Sequence, residues 1–172
     1  PGADDTAARI AAVRARIAAA CARAGRDPAE VRLVAVTKYV DAEAVGVLLR
    51  AGIADVGENR VTELLGKRAA LGPACRWHLI GHLQRNKARR ALPAVDLLHS
   101  GDGAELLRVL DAEVARSGRP PLDVLVQVNV SGEASKGGFR PEDLPRALGE
   151  AAALPHLRIR GLMTMAPEVE DP

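Results

Sequence analysis

The chain has 172 residues, 48% of them hydrophobic and 27% charged, with a formal net charge of +2. That is enough apolar material for one globular domain and too balanced a mixture for a disordered or fibrous chain. Aromatics make up only 2%, so the core is expected to be built from Ala, Val, Leu and Ile, with no stacking platform for nucleic-acid bases.

Ile10, Val13, Ile17 and Cys21 recur at helical spacing and predict a leading helix over Thr6 to Gly25, with Asp4 and Asp5 at its positive end and Gly25 as its stop. Apolar, β-branched runs then alternate with helical patterns. The predicted order is strand 32–38, helix 42–51, strand 55–59, helix 60–71, strand 77–81, a short basic helix over 84–92, strand 97–100, helix 103–117, strand 123–130, helix 142–154 and strand 159–165. Such alternation indicates a parallel sheet covered by helices. No linker or repeat interrupts it, and residues 1–172 read as one domain. Pro1 to Thr6 is small and acidic where a secretory signal would be cationic and then apolar. No apolar run has the length of a membrane span, so a cytoplasmic protein with no membrane or nucleic-acid partner is expected. Cys21 and Cys75 lack metal-ligand spacing and are expected to be reduced and structural, with no metal site.

Side-chain alternation favours a closed barrel over an open sheet. Val124, Val126, Val128 and Val130 share one face of their strand, and Leu125, Gln127 and Asn129 the other. The face carrying Val34 and Val36 runs on to Lys38, and the face carrying Leu98 runs on to Ser100 and Asp102. Polar groups gathered at strand C-termini are how a TIM-type (β/α)8 barrel builds a site. The glycine-rich turn that an open nucleotide-binding sheet places after its first strand is absent, since Thr37, Lys38, Tyr39 and Val40 stand there. A closed barrel of eight units needs at least about 200 residues. The chain is therefore expected to lack the last two strand-helix units, with Ala166 to Pro172 as the loop leaving strand six.

Lys38 is the leading candidate for chemistry. A lysine at the end of a buried strand can lose its proton and attack an aldehyde, although the same position also suits a lysine that snorkels to solvent. The runs Val34-Ala35-Val36-Thr37-Lys38, Gly57-Glu58-Asn59, Trp77-His78-Leu79-Ile80-Gly81-His82-Leu83-Gln84-Arg85-Asn86-Lys87, Gln127-Val128-Asn129-Val130 and Gly161-Leu162-Met163-Thr164-Met165 together resemble the pyridoxal phosphate homeostasis protein family, in order and in spacing. That family is related to the N-terminal barrel of alanine racemases. Leu79 stands where the family commonly has Phe, and Arg60 where it commonly has Tyr.

The resemblance implies that Lys38 forms a Schiff base with pyridoxal 5'-phosphate and that Asn59 and His78 line the cofactor pocket. It also implies a place near the cofactor for Met163. Ser100 and Asn129 are weaker pocket candidates, because small polar residues at strand ends equally often cap helices or bond loop backbone. The cofactor phosphate is expected on loops after strands seven and eight, beyond these residues. The function implied is storage, buffering or delivery of the cofactor, with cofactor-dependent apoenzymes as partners and a monomer as the working form. The alternative is a racemase-like enzyme. It is weakened because racemisation needs an acid and a base on opposite faces of the substrate carbon, and the single tyrosine, Tyr39, adjoins Lys38. Arg85, Lys87, Arg89 and Arg90 read as a solvated helix face, and Lys136, Gly137 and Gly138 as a mobile loop without P-loop spacing.

Overall fold

The computed structural model describes residues 3–133 and 137–165; Lys136 and the Ala166 to Pro172 segment lie outside them. The strands are β1 (Val34–Val36), β2 (Asp55–Glu58), β3 (Arg76–Leu79), β4 (Leu97–Gly101), β5 (Leu122–Gln127) and β6 (Leu157–Met163). Each pairs in parallel with the next, so the sheet order among the described residues is the chain order. A doubly wound sheet reverses its strand order part-way and carries helices on both faces. An unreversed order with right-handed crossovers puts the helices on one face, which is the barrel arrangement.

The leading helix α1 covers Ala3–Ala24, and Gly25 ends it at φ 61°. The crossovers carry α2 (Ala42–Arg50), α3 (Val61–Leu71), α4 (Ala88–Ala91), α5 (Ala104–Ser117) and α6 (Leu144–Ala152). Asp41 caps α2 by accepting from the Ala44 amide at 2.8 Å, satisfying one donor that the first helical turn leaves free. In α5 the buried residues Leu106, Leu107, Leu110 and Val114 fall on one stripe. They meet Val45, Leu64, Trp77, Leu79, Leu98 and Val124 between helices and sheet, each of these six fully buried. Trp77 is the one large aromatic in this core, and its indole N–H donates to the Gly72 carbonyl at 3.3 Å.

Several predicted boundaries move for physical reasons. β1 stops at Val36 rather than Lys38, because Thr37 turns into the helix layer, where it is buried. β5 stops at Gln127 rather than Val130, because Asn129 organises a turn and Val130 is exposed. The alternation expected in β4 fails. Leu98 pairs with Val124 and Gly101 with Val126, so β4 holds one extra residue against β5. This bulge breaks the supposed common face of Leu98, Ser100 and Asp102. A matching extra residue, Arg160, enters β6 between Ile159 and Gly161.

Gly81 closes the top of β3 against the neighbouring strand end: a Cβ there would lie 2.3 Å from the Asn59 carbonyl oxygen. Since the obstacle is backbone, Gly81→Ala is expected to lower unfolding free energy by about 1–3 kcal/mol, measurable by urea denaturation.

Candidate functional site

The inner face of the sheet is polar at its floor. Asp55 begins β2 and pairs with Arg32 at 3.4 Å, while Asp123 of β5 pairs with Arg76 at 2.9 Å and Arg158 at 2.9 Å. From Asp55 a hydrogen-bonded chain climbs the lumen. His78 Nε2 lies 2.8 Å from Asp55 Oδ1, and His78 Nδ1 lies 2.8 Å from His99 Nε2. Burial pushes the His78 pKa down despite the opposing pull of the Asp55 bond, and His99 is pushed down to about 4 by burial first, then by His78 and Arg76. Both rings are therefore neutral at pH 7, which fixes the proton order. His78 donates from Nε2 to Asp55, His99 donates from Nε2 to His78, and His99 Nδ1 is left as an acceptor.

Lys38 stands in the turn after β1, exposed rather than buried at a strand end. Its ammonium lies 5.7 Å from the Tyr39 ring centroid. Val36, Tyr39 and Val40 around it are all exposed apolar side chains, and Tyr39 adopts a left-handed φ of 71°. A non-glycine residue there carries backbone strain, which clusters where a loop has work to do. Register relates the neighbouring strand tops. Val36 pairs with Gly57 and Gly57 with His78, so Lys38 and Asn59 each stand two residues beyond paired positions, at the tops of neighbouring strands. Asn59 is exposed and makes no side-chain hydrogen bond among the described residues, and it does not cap the following helix, whose N-cap is Arg60, with no side-chain cap bond.

The other candidates are engaged elsewhere. Ser100 is fully buried, and its hydroxyl donates to the Gly81 carbonyl at 2.7 Å. The Asn129 carboxamide accepts from the Gly132 amide at 3.0 Å and donates to the Glu133 carbonyl at 2.9 Å, which makes it a loop organiser. Met163 is half-buried at the end of β6, paired with Gln127. Arg85, Lys87, Arg89 and Arg90 are exposed, and Arg85 pairs with Glu105. Among the described residues no cluster of three or more His, Cys, Asp or Glu side chains could hold a metal ion. Likewise no helix is long and apolar enough to cross a membrane.

The family model for the alanine racemase N-terminal domain matches residues 9–172. The pyridoxal phosphate homeostasis protein of Pseudomonas aeruginosa is 50% identical over 158 residues, spanning 91% of this chain and 68% of that protein. This chain belongs to the pyridoxal phosphate homeostasis protein family. Two solved structures similar to this homeostasis-family chain share its fold. An unknown protein from Bifidobacterium adolescentis superposes with a TM-score of 0.92 at 34% identity, over 98% of this chain and 72% of that one. PipY of Synechococcus elongatus, solved with pyridoxal phosphate bound, gives 0.79 at 34% identity, over 96% of this chain and 73% of that one.

Within this family member, register sets Lys38 and Asn59 at one level of the barrel mouth and puts His78 one layer below. Ser100 and Asn129 are tied into local backbone instead. His99 and Asp55 escaped sequence reasoning. Leu97-Leu98-His99 offered a polar residue inside an apolar strand as the only signal, and the bulge hid its side. The histidine chain makes stability depend on pH. In the unfolded chain these imidazoles titrate near their ordinary 6.5, while folding keeps them neutral. As pH falls below 6.5 the unfolded state binds protons that the folded state refuses, so stability is full above 6.5 and is lost progressively toward pH 4. Urea midpoints are expected to fall between pH 7 and pH 5, and His99→Gln is expected to flatten that fall.

Proposed function

We propose that this chain binds pyridoxal 5'-phosphate covalently through Lys38 and serves cofactor homeostasis rather than a catalytic cycle. The observation that carries the reading is the likeness to PipY, whose structure holds pyridoxal phosphate and which covers nearly all of this chain at 34% identity. The residues present fit such a group. An amine with no hydrogen-bond or ion-pair partner among the described residues stands at the barrel mouth beside exposed Val36, Tyr39 and Val40, which can cover a flat ring. Asn59 brings an unengaged amide to the same level. Met163 belongs to the same mouth, and His78 acts from beneath it, holding His99 in the tautomer that offers Nδ1 as an acceptor. Ser100 and Asn129 support the pocket indirectly, through the Gly81 carbonyl and the 129–133 turn.

When bound, the cofactor supplies an aldehyde carbon with which the lysine amine forms a C=N bond, releasing one water. The attacking form of Lys38 is its neutral amine, so its proton leaves before the C=N bond forms, and Asn59 and the acceptor on His99 orient polar edges of whatever ring lies above them. The relatives carry a name for homeostasis, not for a reaction, and a racemase would need a second acid/base group opposite the lysine. We place the working protein in the cytoplasm as a monomer that passes cofactor to apoenzymes.

Titration of the purified protein with pyridoxal phosphate is expected to give an absorbance band that borohydride fixes on Lys38 by peptide mapping. Lys38→Ala should lose the band and keep its circular dichroism, since an exposed turn lysine adds little to packing; a reducible adduct persisting in that variant would remove Lys38 from the role. Incubation with alanine in deuterated water is expected to show no α-carbon exchange at rates near about 10 per second, a typical enzymatic turnover.

A further inference from the structure

Directly beneath Lys38 lies a charged cluster sealed from water. Glu58, the last residue of β2, is fully buried, Lys67 of α3 is 7% exposed and Thr37 is 1% exposed. Lys67 Nζ donates to Glu58 Oε1 at 2.6 Å and to the Thr37 carbonyl at 2.8 Å, and the Thr37 hydroxyl donates to the same Glu58 oxygen at 2.5 Å. The Thr37 amide donates to the Gly57 carbonyl at 2.9 Å. Thr37 is thus held through its amide, its carbonyl and its hydroxyl, while among the described residues the side chain of the next residue, Lys38, has only a ring contact with Tyr39.

The cluster is a poor way to gain stability. Two charges removed from water lose hydration that their attraction repays only in good geometry, and a well-packed apolar pair of similar size is often as stable or more so. Glu58 Oε2 is moreover buried without a hydrogen-bond partner, an arrangement that core packing alone would avoid. What the cluster does achieve is directional. The Thr37 carbonyl that Lys67 grips also accepts from the Val40 amide at 3.3 Å, closing the turn in which Tyr39 takes its left-handed φ of 71°.

We infer that Glu58 and Lys67 are positioning residues for Lys38: the buried pair clamps the carbonyl and the hydroxyl of Thr37, holds the strained 37–40 turn closed, and so fixes the direction in which the Lys38 side chain leaves the barrel mouth. This rests on Lys38 as the covalent anchor. The clamp acts before any ligand arrives and would be present in the ligand-free protein. Loosening it leaves the amine intact but spreads it over many directions, and small misplacements of a reacting group are costly.

The test uses two variants, each read in two ways. Thr37→Val keeps shape and removes the hydroxyl, with Thr37→Ser as its conservative rescue. Glu58→Leu combined with Lys67→Met removes both charges together, which avoids stranding one of them in the core as either single substitution would. In the ligand-free proteins, hydrogen exchange at the Val40 amide is expected to speed up about tenfold or more while the Val124 amide stays protected, and on mixing with pyridoxal phosphate the borohydride-reducible adduct is expected to form about tenfold more slowly. Thr37→Ser should restore both readings to within about twofold of the parent. Folded variants whose Val40 exchange and adduct rate both match the parent would overturn the inference and leave Lys38 as anchor untouched. If the parent itself forms its adduct elsewhere, the Lys38 reading fails, and Val40 exchange alone then decides whether the clamp exists. Should the double variant not fold, Thr37→Val carries the same two outcomes.

Discussion

Parallel pairing is the constraint from which the rest of this molecule follows. A parallel neighbour can be reached only by a crossover, and crossovers of one hand place every helix on the same face of the sheet. Two very different surfaces result. The outer face, with Val56, Trp77, Leu79, Leu98 and Val124, is sealed by helices and is dry. The inner face is free of helices and can hold Asp55, Arg76, His78, His99 and Asp123, each paired with another inner group. The same rule delivers all the strand C-termini to one end, and for that reason residues far apart in sequence, such as Lys38 and Asn59, reach a common level without any contact dedicated to bringing them there.

The boundary between those two surfaces runs between Thr37 and the proposed anchor, Lys38. Thr37 and Lys38 are adjacent in sequence and point opposite ways, one into the helix layer and one toward the mouth. Dry packing can therefore hold the backbone of a residue whose side chain is in water. The lumen works by a similar division of labour: Asp55 at the floor fixes one tautomer of His78, which fixes that of His99, so proton placement two residues higher is settled at the bottom of the barrel.

The fold class was legible because its signals are periodic. Apolar strands alternating with amphipathic helices, and the absence of a glycine-rich turn after Val36, point to the barrel without knowledge of any contact. The motifs around Lys38 single it out in the sequence, but not its place in an exposed turn. Three kinds of fact were not legible. The bulge between Leu98 and Gly101 concerns how two strands pair, and nothing in Leu97-Leu98-His99-Ser100 announces it, so simple alternation puts Ser100 on the face of Leu98, which the bulge breaks. Asn129 follows a valine-rich run that reads as continuous strand, and only the Gly132 and Glu133 backbone reveals its turn. The partnership of Glu58 with Lys67 joins a strand end to the middle of a helix, where each residue alone reads as an ordinary exposed charge.

The bulge in β4 also bears on how this chain can tolerate changes in length. In a strand that pairs without a bulge, losing one residue would rotate every following side chain through to the opposite face. In β4 one residue is already surplus to the pairing with β5. Deleting a single position between Leu98 and Gly101 would restore simple alternation and leave the pairings on either side in phase. The segment that contributes His99 to the proton chain and Ser100 to the Gly81 carbonyl is thus, like the bulge at Arg160 in β6, a place where relatives could differ by one residue and still close the same barrel, here with a different group at the head of the chain.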